Sequence, residues 1–510
     1  MTIAGGSLDQ TPAFVRRELV AERPAPVPTT GALAWIRWRL LSSPTSILLT
    51  IVSALLLWYT LAPAVKFLLI DAVWQGNDRD ACLADNVGRT VGACWPFVRA
   101  KLQQFMYGFY PQNQLWRVNL VFLLAIMLLI PLLIPRIPGK TLNACLFFLA
   151  LPVVAFFLLY GGGIKGFGIS WLVDLLEALC ASVAEAGRRL RVTGGGIGWP
   201  GISQLLALLG LAIAGIGEGL LLLLTPLTWL RETLALSTHP VWYDLALTAG
   251  VICALVFGLS RSLRATAACL AVFAGIAGVI AALGLQRGGL PIVGTREWGG
   301  MLVTLVVSVT GIVASMPIGM ALALGRRSQF PLIRAFSIIF IEFWRGVPLI
   351  TVLFFATYML PLFMPQGFGI DGMMRVLVGV ALFSGAYNAE VIRGGLAAVP
   401  RGQGEAANAL GLSYWKTTGL IVMPQALRHV IPGLVNSFIA LFKDTTLVQI
   451  VAIFDLLGQL RASFADPNWA TPSTLFTGFA FAGIIYFAFC FAMSRYSLFV
   501  EGRLNAHRRS

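Results

Sequence analysis

The stretch EAANALGLSYWKTTGLIVMPQAL, Glu405 to Leu427, sets how this chain folds. It is polar and amphipathic, and it interrupts a sequence that is otherwise strongly apolar. Pro400 and the glycines before it end the preceding apolar segment, and EAANAL is a short run of strong helix formers. Gly411 breaks that run, and Ser413 is placed to cap a second helix. In that second helix Tyr414, Leu420, Ile421 and Trp415 form an apolar stripe opposite Lys416 and Thr417. The expectation is a rigid two-helix knob, bent at a glycine elbow and lying outside the membrane.

Across the whole chain, 58% of the 510 residues are hydrophobic and only 12% are charged, a composition far from that of soluble domains. The apolar residues come in runs of roughly 17 to 27, the length of a helix that crosses about 30 Å of hydrocarbon, without the alternation of a membrane barrel. The expected fold is therefore all-α and polytopic.

The net charge of +15 does not point to nucleic acid. The basic residues gather at the ends of apolar runs, as the positive-inside rule predicts for cytoplasmic loops. The clusters are Arg37/Arg39, Arg136/Lys140, Arg188/Arg189/Arg191, Arg261/Arg264, Arg326/Arg327/Arg334, Arg393/Arg401 and Arg503/Arg508/Arg509. They place both termini in the cytoplasm, which requires an even number of crossings.

Apolar runs occupy 46–70, 119–135, 143–163, 203–229, 241–259, 265–285, 298–324, 332–363, 373–392, 432–453 and 474–498, eleven in all. Parity adds 170–187 as the twelfth, although it carries Asp174, Glu177 and Glu185. The alternative leaves 170–187 on the surface and makes 203–229 re-entrant around Glu218. Residues 332–363 are expected to form one long helix bent near Gly346 and Pro348. Residues 1–45 are polar and proline-rich, without the apolar core of a signal peptide, and 501–510 form a basic cytoplasmic tail.

Four of the seven cysteines, Cys145, Cys253, Cys269 and Cys490, fall inside apolar runs, where cysteine is a small hydrophobe. Cys82 and Cys94 lie in a polar loop, 71–118, beyond the first crossing. On an oxidising side they would close a disulfide, and otherwise they are two free thiols. The aromatics of that loop fit a docking surface for a binding protein or an interfacial belt. The three histidines, at 239, 429 and 507, are too scattered to hold a metal.

Glu405, Ala406, Ala407, Gly411, Leu412, Ile421 and Pro424 resemble the EAA loop of the membrane subunits of bacterial ABC importers, with Met423 where leucine is commoner. The resemblance extends through EFWRGVPLITVLF, AYNAEVIRGGL, KDTTLV and MSRY to permease subunits of polar and general L-amino acid importers, over about 296–500. Within that family it also takes in the cysteine loop and LLYGGG. It implies a five-helix core of the type I importer permease at 296–500, with the coupling loop at 400–428 docking into an ATP-binding subunit.

It further implies a second permease subunit, usually a different chain, and a periplasmic amino-acid-binding protein. ATP and magnesium would be bound by the partner, because no G-x-x-x-x-G-K-[ST] phosphate loop occurs here. The chain would not be an enzyme by itself. Residues 46–164 are the N-terminal membrane helices, whereas 165–290 departs from the family as an inserted block.

Charges at membrane depth are functional candidates. Counted from their helix starts, Glu342 and Arg345 fall near mid-bilayer, as do Lys443 and Asp444. The expectation is that the two pairs meet and hold a zwitterionic substrate, a cation to its carboxylate and an anion to its ammonium. Tyr387, Asn388, Glu390 and Arg393 are expected near the cytoplasmic end, as structural ties or as a gate. The rival reading is an ion-gradient-driven secondary transporter of a small polar solute, favoured by paired mid-membrane charges and opposed by the coupling loop.

Overall fold

The computed structural model describes residues 31, 35–36, 40–134, 137–163, 168–195, 200–260, 262–287, 289–363 and 370–505. Most of the 1–45 tail, His507 and the basic residues Arg37, Arg39, Arg136, Arg261, Arg508 and Arg509 lie outside them. Among the described residues the only β-pairing is a few isolated bridges, and everything else of regular structure is helix. The chain divides into two compact units, Met1–Gly76 with Asp80–Trp95, and Asn77–Arg79 with Pro96–Ser510.

In the first unit α1, Pro44–Ile70, is capped by Ser43, whose hydroxyl accepts from Ser46 N at 3.1 Å. No side chain of Pro44–Val65 is buried, as suits a helix surrounded by lipid. Its chain then returns through a loop closed by a Cys82–Cys94 disulfide. Val73 pairs with Cys94 as a parallel bridge, and the Trp74 ring stacks on Trp95 at 5.7 Å. The cross-link and the ring pair hold a loop too short to have a core of its own.

The second unit carries the remaining helices in chain order: α2 Trp95–Tyr107, α3 Gln112–Leu133, α4 Lys140–Tyr160, α5 Ile169–Gly195 and α6 Pro200–Ala235, then α7 Pro240–Ser260, α8 Leu263–Ala282 and α9 Gly300–Arg326. After them come α10 Pro331–Gly346, α11 Leu349–Phe363, α12 Gly372–Ala398 and α13 Arg401–Ala409, and then α14 Tyr414–Val451, α15 Leu456–Ser463 and α16 Pro472–Asn505. The main core joins α3, α4, α9, α11, α12 and α14 through Val118, Leu158, Leu302, Leu353, Val376 and Leu441.

The α9–α12 contact is close because glycine admits the neighbouring backbone. A Cβ on Gly319 would lie 3.1 Å from Ala389 N, and one on Gly385 would lie 2.5 Å from Ile318 Cγ2. Gly395 admits α14 in the same way, 2.6 Å from Ala426 O. Small residues are the usual means of bringing helices together in lipid, where no hydrophobic force drives them.

Among the described residues ten helices are long and apolar enough to cross a membrane, and α10 with α11 would make an eleventh. The expected twelfth, 170–187, forms α5 but is too rich in charge to qualify on composition. It runs antiparallel along α6, where Arg231 Nη1 meets Asp174 Oδ1 and Glu177 Oε2 at 2.6 Å each. The long bent helix expected over 332–363 is corrected more strongly. The axis turns by 104° between α10 and α11, because Val347 is extended ahead of Pro348 and Leu349, Val352 and Leu353 turn into the core. At 1.5 Å per residue, neither piece alone crosses about 30 Å of hydrocarbon.

The segment expected to be an inserted block is flanked by a single backbone seam. Gly162 N donates to Leu290 O at 2.7 Å, and Val293 N donates to Tyr160 O at 2.8 Å. A Cβ on Gly289 would fall 2.0 Å from Gly162 O, so only glycine fits there. Arg117, fully buried, donates to Pro291 O at 3.0 Å and stacks on the Tyr110 ring. Tyr160–Gly162 and Gly289–Val293 are thus stitched together beside α3.

Candidate functional site

The knob begins where Val399, held extended ahead of Pro400, ends α12. α13 starts immediately afterwards, at Arg401 rather than at Glu405. It ends at Gly411, whose φ of +73° only glycine adopts without strain, and Gly411 N and Leu412 N return to the carbonyls of Asn408 and Ala407. Ser413 does not cap with its side chain, contrary to expectation; its carbonyl accepts from Thr417 N at 2.8 Å.

The second helix of the knob is not a separate piece. Through a π-helical turn, Thr417–Val422, it runs directly into α14, so Ile421 and Pro424 belong to a membrane helix. The stripe faces outward, opposite Thr417. Ala407, Thr417 and Thr418 are buried against the chain, whereas Leu410 is 79% exposed, Trp415 74% and Leu420 72%. Gln425 Nε2 donates to Gln403 Oε1 at 3.2 Å, tying the two arms. A braced elbow presenting bare Leu and Trp side chains is a surface built to be covered.

A few residues inward, five charges from three helices converge. Arg326 Nη1, at the end of α9, lies 3.2 Å from Glu342 of α10 and 3.4 Å from Glu390 of α12. Glu390 also accepts from Arg393 Nε at 2.9 Å and lies 3.9 Å from Arg345. Arg345 stacks over the Tyr387 ring, 5.9 Å from its centre. Glu342 and Arg345 therefore join Glu390 and Arg393, and they do not pair with each other.

They also do not meet Lys443 and Asp444. Leu441 packs at Gly311 of α9, and Arg326 is fifteen residues further along that helix, a separation on the order of 20 Å. Lys443 is exposed and Asp444 half-buried at the point where the α-helical part of α14 stops. Neither forms an ion pair among the described residues. Asn388, expected near the gate, is buried between α9 and α12, where its Nδ2 donates to Ser315 Oγ at 2.9 Å.

At the opposite end of α9 the backbone is held by polar ties that sequence reasoning did not single out. Asp455, fully buried, caps α15 by accepting from Gly458 N at 2.9 Å and takes the Tyr486 hydroxyl at 2.9 Å. Burial pushes its carboxyl above the usual range. Nearby, the Lys101 ammonium holds the Asp466 carboxyl below its usual range, helped by Asn468 N at 3.0 Å.

Residues 315–505, from mid-α9 through the knob to α16, match the family model described as the binding-protein-dependent transport system inner membrane component. The inner membrane amino-acid ABC transporter permease protein YhdY of Escherichia coli is 36% identical over 486 residues, covering 95% of this chain and 96% of its own length. The chain belongs to the amino-acid ABC transporter permeases. The glutamate/glutamine/aspartate/asparagine transport system permease protein BztC of Rhodobacter capsulatus is 38% identical over 502 residues, covering 98% and 99%. A solved amino acid ABC transporter with histidines overlaps 40% of this permease and 92% of its own chain at 28% identity, with a TM-score of 0.35.

The molecule is thus a multi-pass inner membrane permease subunit of an ABC importer. It is a transport component and not itself an enzyme, and the secondary-transporter reading is set aside. Its family implies an ATP-binding subunit among its partners.

Proposed function

We propose that this permease carries amino acids from periplasm to cytoplasm by alternating access. A periplasmic amino-acid-binding protein delivers the substrate, and a second permease subunit, a different chain, completes the pathway. The names of YhdY and BztC support the substrate class. ATP and magnesium are bound and used by the partner ATPase, whose motion enters through Glu405–Leu427. Both termini are cytoplasmic, and α5 together with the broken pair α10–α11 keeps the number of crossings even.

The observation that carries this reading is the knob. Leu410, Tyr414, Trp415 and Leu420 stand outward at a glycine elbow whose inner side, Ala407, Thr417 and Thr418, packs on the permease itself. A push on that surface reaches α12 and α14 directly, because α13 is joined to one and Thr417–Val422 to the other. The Arg326–Glu342–Glu390 network ties α9, α10 and α12 next to it, as an inner gate. Lys443 and Asp444, without ion-pair partners among the described residues, remain the charges placed to meet a zwitterion deeper in the membrane.

The test is purification of the tagged chain from its native membrane with its partners, for the parent and Glu405→Lys, combined with uptake of radiolabelled amino acids. An ATPase subunit that copurifies with the parent and is lost from Glu405→Lys, together with loss of uptake, is the expected result. A parent chain that purifies alone, or a variant that keeps both partner and uptake, would overturn it.

A further inference from the structure

The last seven residues of α14, Thr445–Val451, are wound as a 3-10 helix and not as α-helix. Such runs seldom exceed about four residues, because their hydrogen bonds are poorly aligned. This one ends at Ala452, whose φ of +61° makes it the one non-glycine residue with a positive φ among the described residues. A left-handed alanine costs stability that a glycine would not. Strained backbone of this kind clusters at functional and switch regions.

Burial explains how the unusual winding is held. With about three residues per turn, Thr445, Val448 and Val451 fall in one line, and they are the buried residues of the segment. Val448 and Val451 sit in the main core. The carbonyls of Phe442 and Lys443, at the change of winding, accept from Thr445 Oγ1 at 2.8 Å and from Thr446 Oγ1 at 2.9 Å. The same residues also spell an α-helix. Leu447, Ile450 and Val451 stand at i, i+3 and i+4, the spacing of an apolar helical face. Leu447 already packs at the edge of the core, whereas Ile450 is exposed. The segment thus carries two apolar periodicities, one for each winding, as an element with two packings requires.

We propose that Thr445–Val451 rewinds from 3-10 to α during transport and so carries motion between the coupling knob and the opposite end of the permease. The proposal rests on the transport reading above. Seven residues at a rise of about 1.5 Å in place of about 2.0 Å shorten α14 by about 3.5 Å, and they turn its two ends by about 140° relative to each other. When the α-helix continues through Ala452, that residue leaves the left-handed region and its strain is released.

The rewinding has a defined target. Beyond Ala452, Phe454 O accepts from Gly300 N at 2.9 Å, and Asp455 forms a bridge with Gly300 at the start of α9. A shift of about 3.5 Å exceeds the reach of such a hydrogen bond, so shortening draws the turn 452–455 off α9. At its other end α14 is continuous with the knob through Thr417–Val422. A force applied at the knob therefore reaches the segment along one helix. Lys443 and Asp444, immediately before the segment, turn with it.

The test is uptake of a radiolabelled mixture of L-amino acids by cells whose own copy of the full chain is replaced by Ala452→Gly, by Thr446→Ala or by both. Glycine relieves the strain of the 3-10 state and is the poorer α-helix former, so Ala452→Gly holds the segment as it is. Its maximal uptake rate should fall about fivefold or more, while the thermal midpoint of the purified chain stays at or above the parent's. Thr446→Ala removes the hydroxyl that holds the Lys443 carbonyl and favours α winding. Added to Ala452→Gly, it should restore part of the lost rate, a recovery that a merely structural role for either residue does not predict. Uptake by Ala452→Gly at the parental rate, a lowered midpoint, or a double variant as slow as the single one would overturn the proposal. A parent that takes up no amino acid would overturn the transport reading, and the proposal with it.

Discussion

Arg326 and Glu390 are 64 residues apart in sequence and 3.4 Å apart in space, joining the C-terminal end of α9 to α12. The same guanidinium nitrogen reaches Glu342 of α10 at 3.2 Å, so three helices are held at one point. Glu390 is the hub of this arrangement, with three arginines around one carboxylate.

Replacing the hub should therefore cost more than replacing any spoke. Glu390→Gln leaves three guanidiniums facing a neutral amide and is expected to lower stability by about 1–3 kcal/mol, in line with the loss of a partly buried charged partner. Glu342→Gln, which neutralises one of Arg326's two carboxylate partners, should cost less. Thermal midpoints of the detergent-purified chain measure both, and equal effects would show that Glu390 is no hub.

At the elbow, Gly411→Val forces a β-branched side chain into a left-handed conformation at about 1–2 kcal/mol. The knob would rearrange, and copurification of the ATP-binding subunit should fall. Gly402→Val is the control, since that position has open space around it and an ordinary φ.

Trp415→Ala separates coupling from folding. The ring is mostly exposed, so the thermal midpoint should hold to within about 0.5 kcal/mol. Uptake should nevertheless drop. A variant with normal uptake would remove Trp415 from the coupling surface.

The Lys101–Asp466 pair predicts a pH dependence. The folded-state carboxyl titrates below its unfolded value, so the stability it contributes is complete above the ordinary value of about 4 and is lost as pH falls through the folded value. With both side chains partly exposed, that contribution is about 0.5–1 kcal/mol and is weakened by salt. The midpoint difference between the parent and Asp466→Asn should be constant from neutral pH to about pH 5 and shrink steadily as pH falls below about 4.

Excision of 164–288, with Gly163 joined to Gly289, should leave the transport core folded. The seam at Tyr160–Gly162 and Leu290–Val293 already holds those ends together. Uptake retained by the shortened chain is the expected outcome, and its loss with normal membrane accumulation would give the block a part in transport.

What could be read from the sequence was local. The apolar runs and the EAA stretch announce themselves within a few tens of residues, because length, hydropathy and a glycine elbow are local properties. The turn at Gly346–Pro348 was legible as a position but not as a 104° change of direction, which depends on Leu349 and Leu353 finding a distant core. The charges failed for the same reason. Depth counted along one helix placed Glu342 beside Arg345, Lys443 and Asp444, whereas its real partner, Arg326, comes from a different helix. Nothing in the order of residues marked which face of the knob would be outward, since that depended on Thr417 and Thr418 packing inward.

The seam also sets a timetable for biosynthesis. Gly162 cannot pair with Leu290 until a further 128 residues have been made (290 − 162), roughly 6 to 26 s at ordinary elongation rates. For that interval the C-terminal end of α4 waits unzipped while α5, α6, α7 and α8 are made. The nascent permease must be sheltered through this pause, and a slower ribosome anywhere in 164–288 would lengthen it.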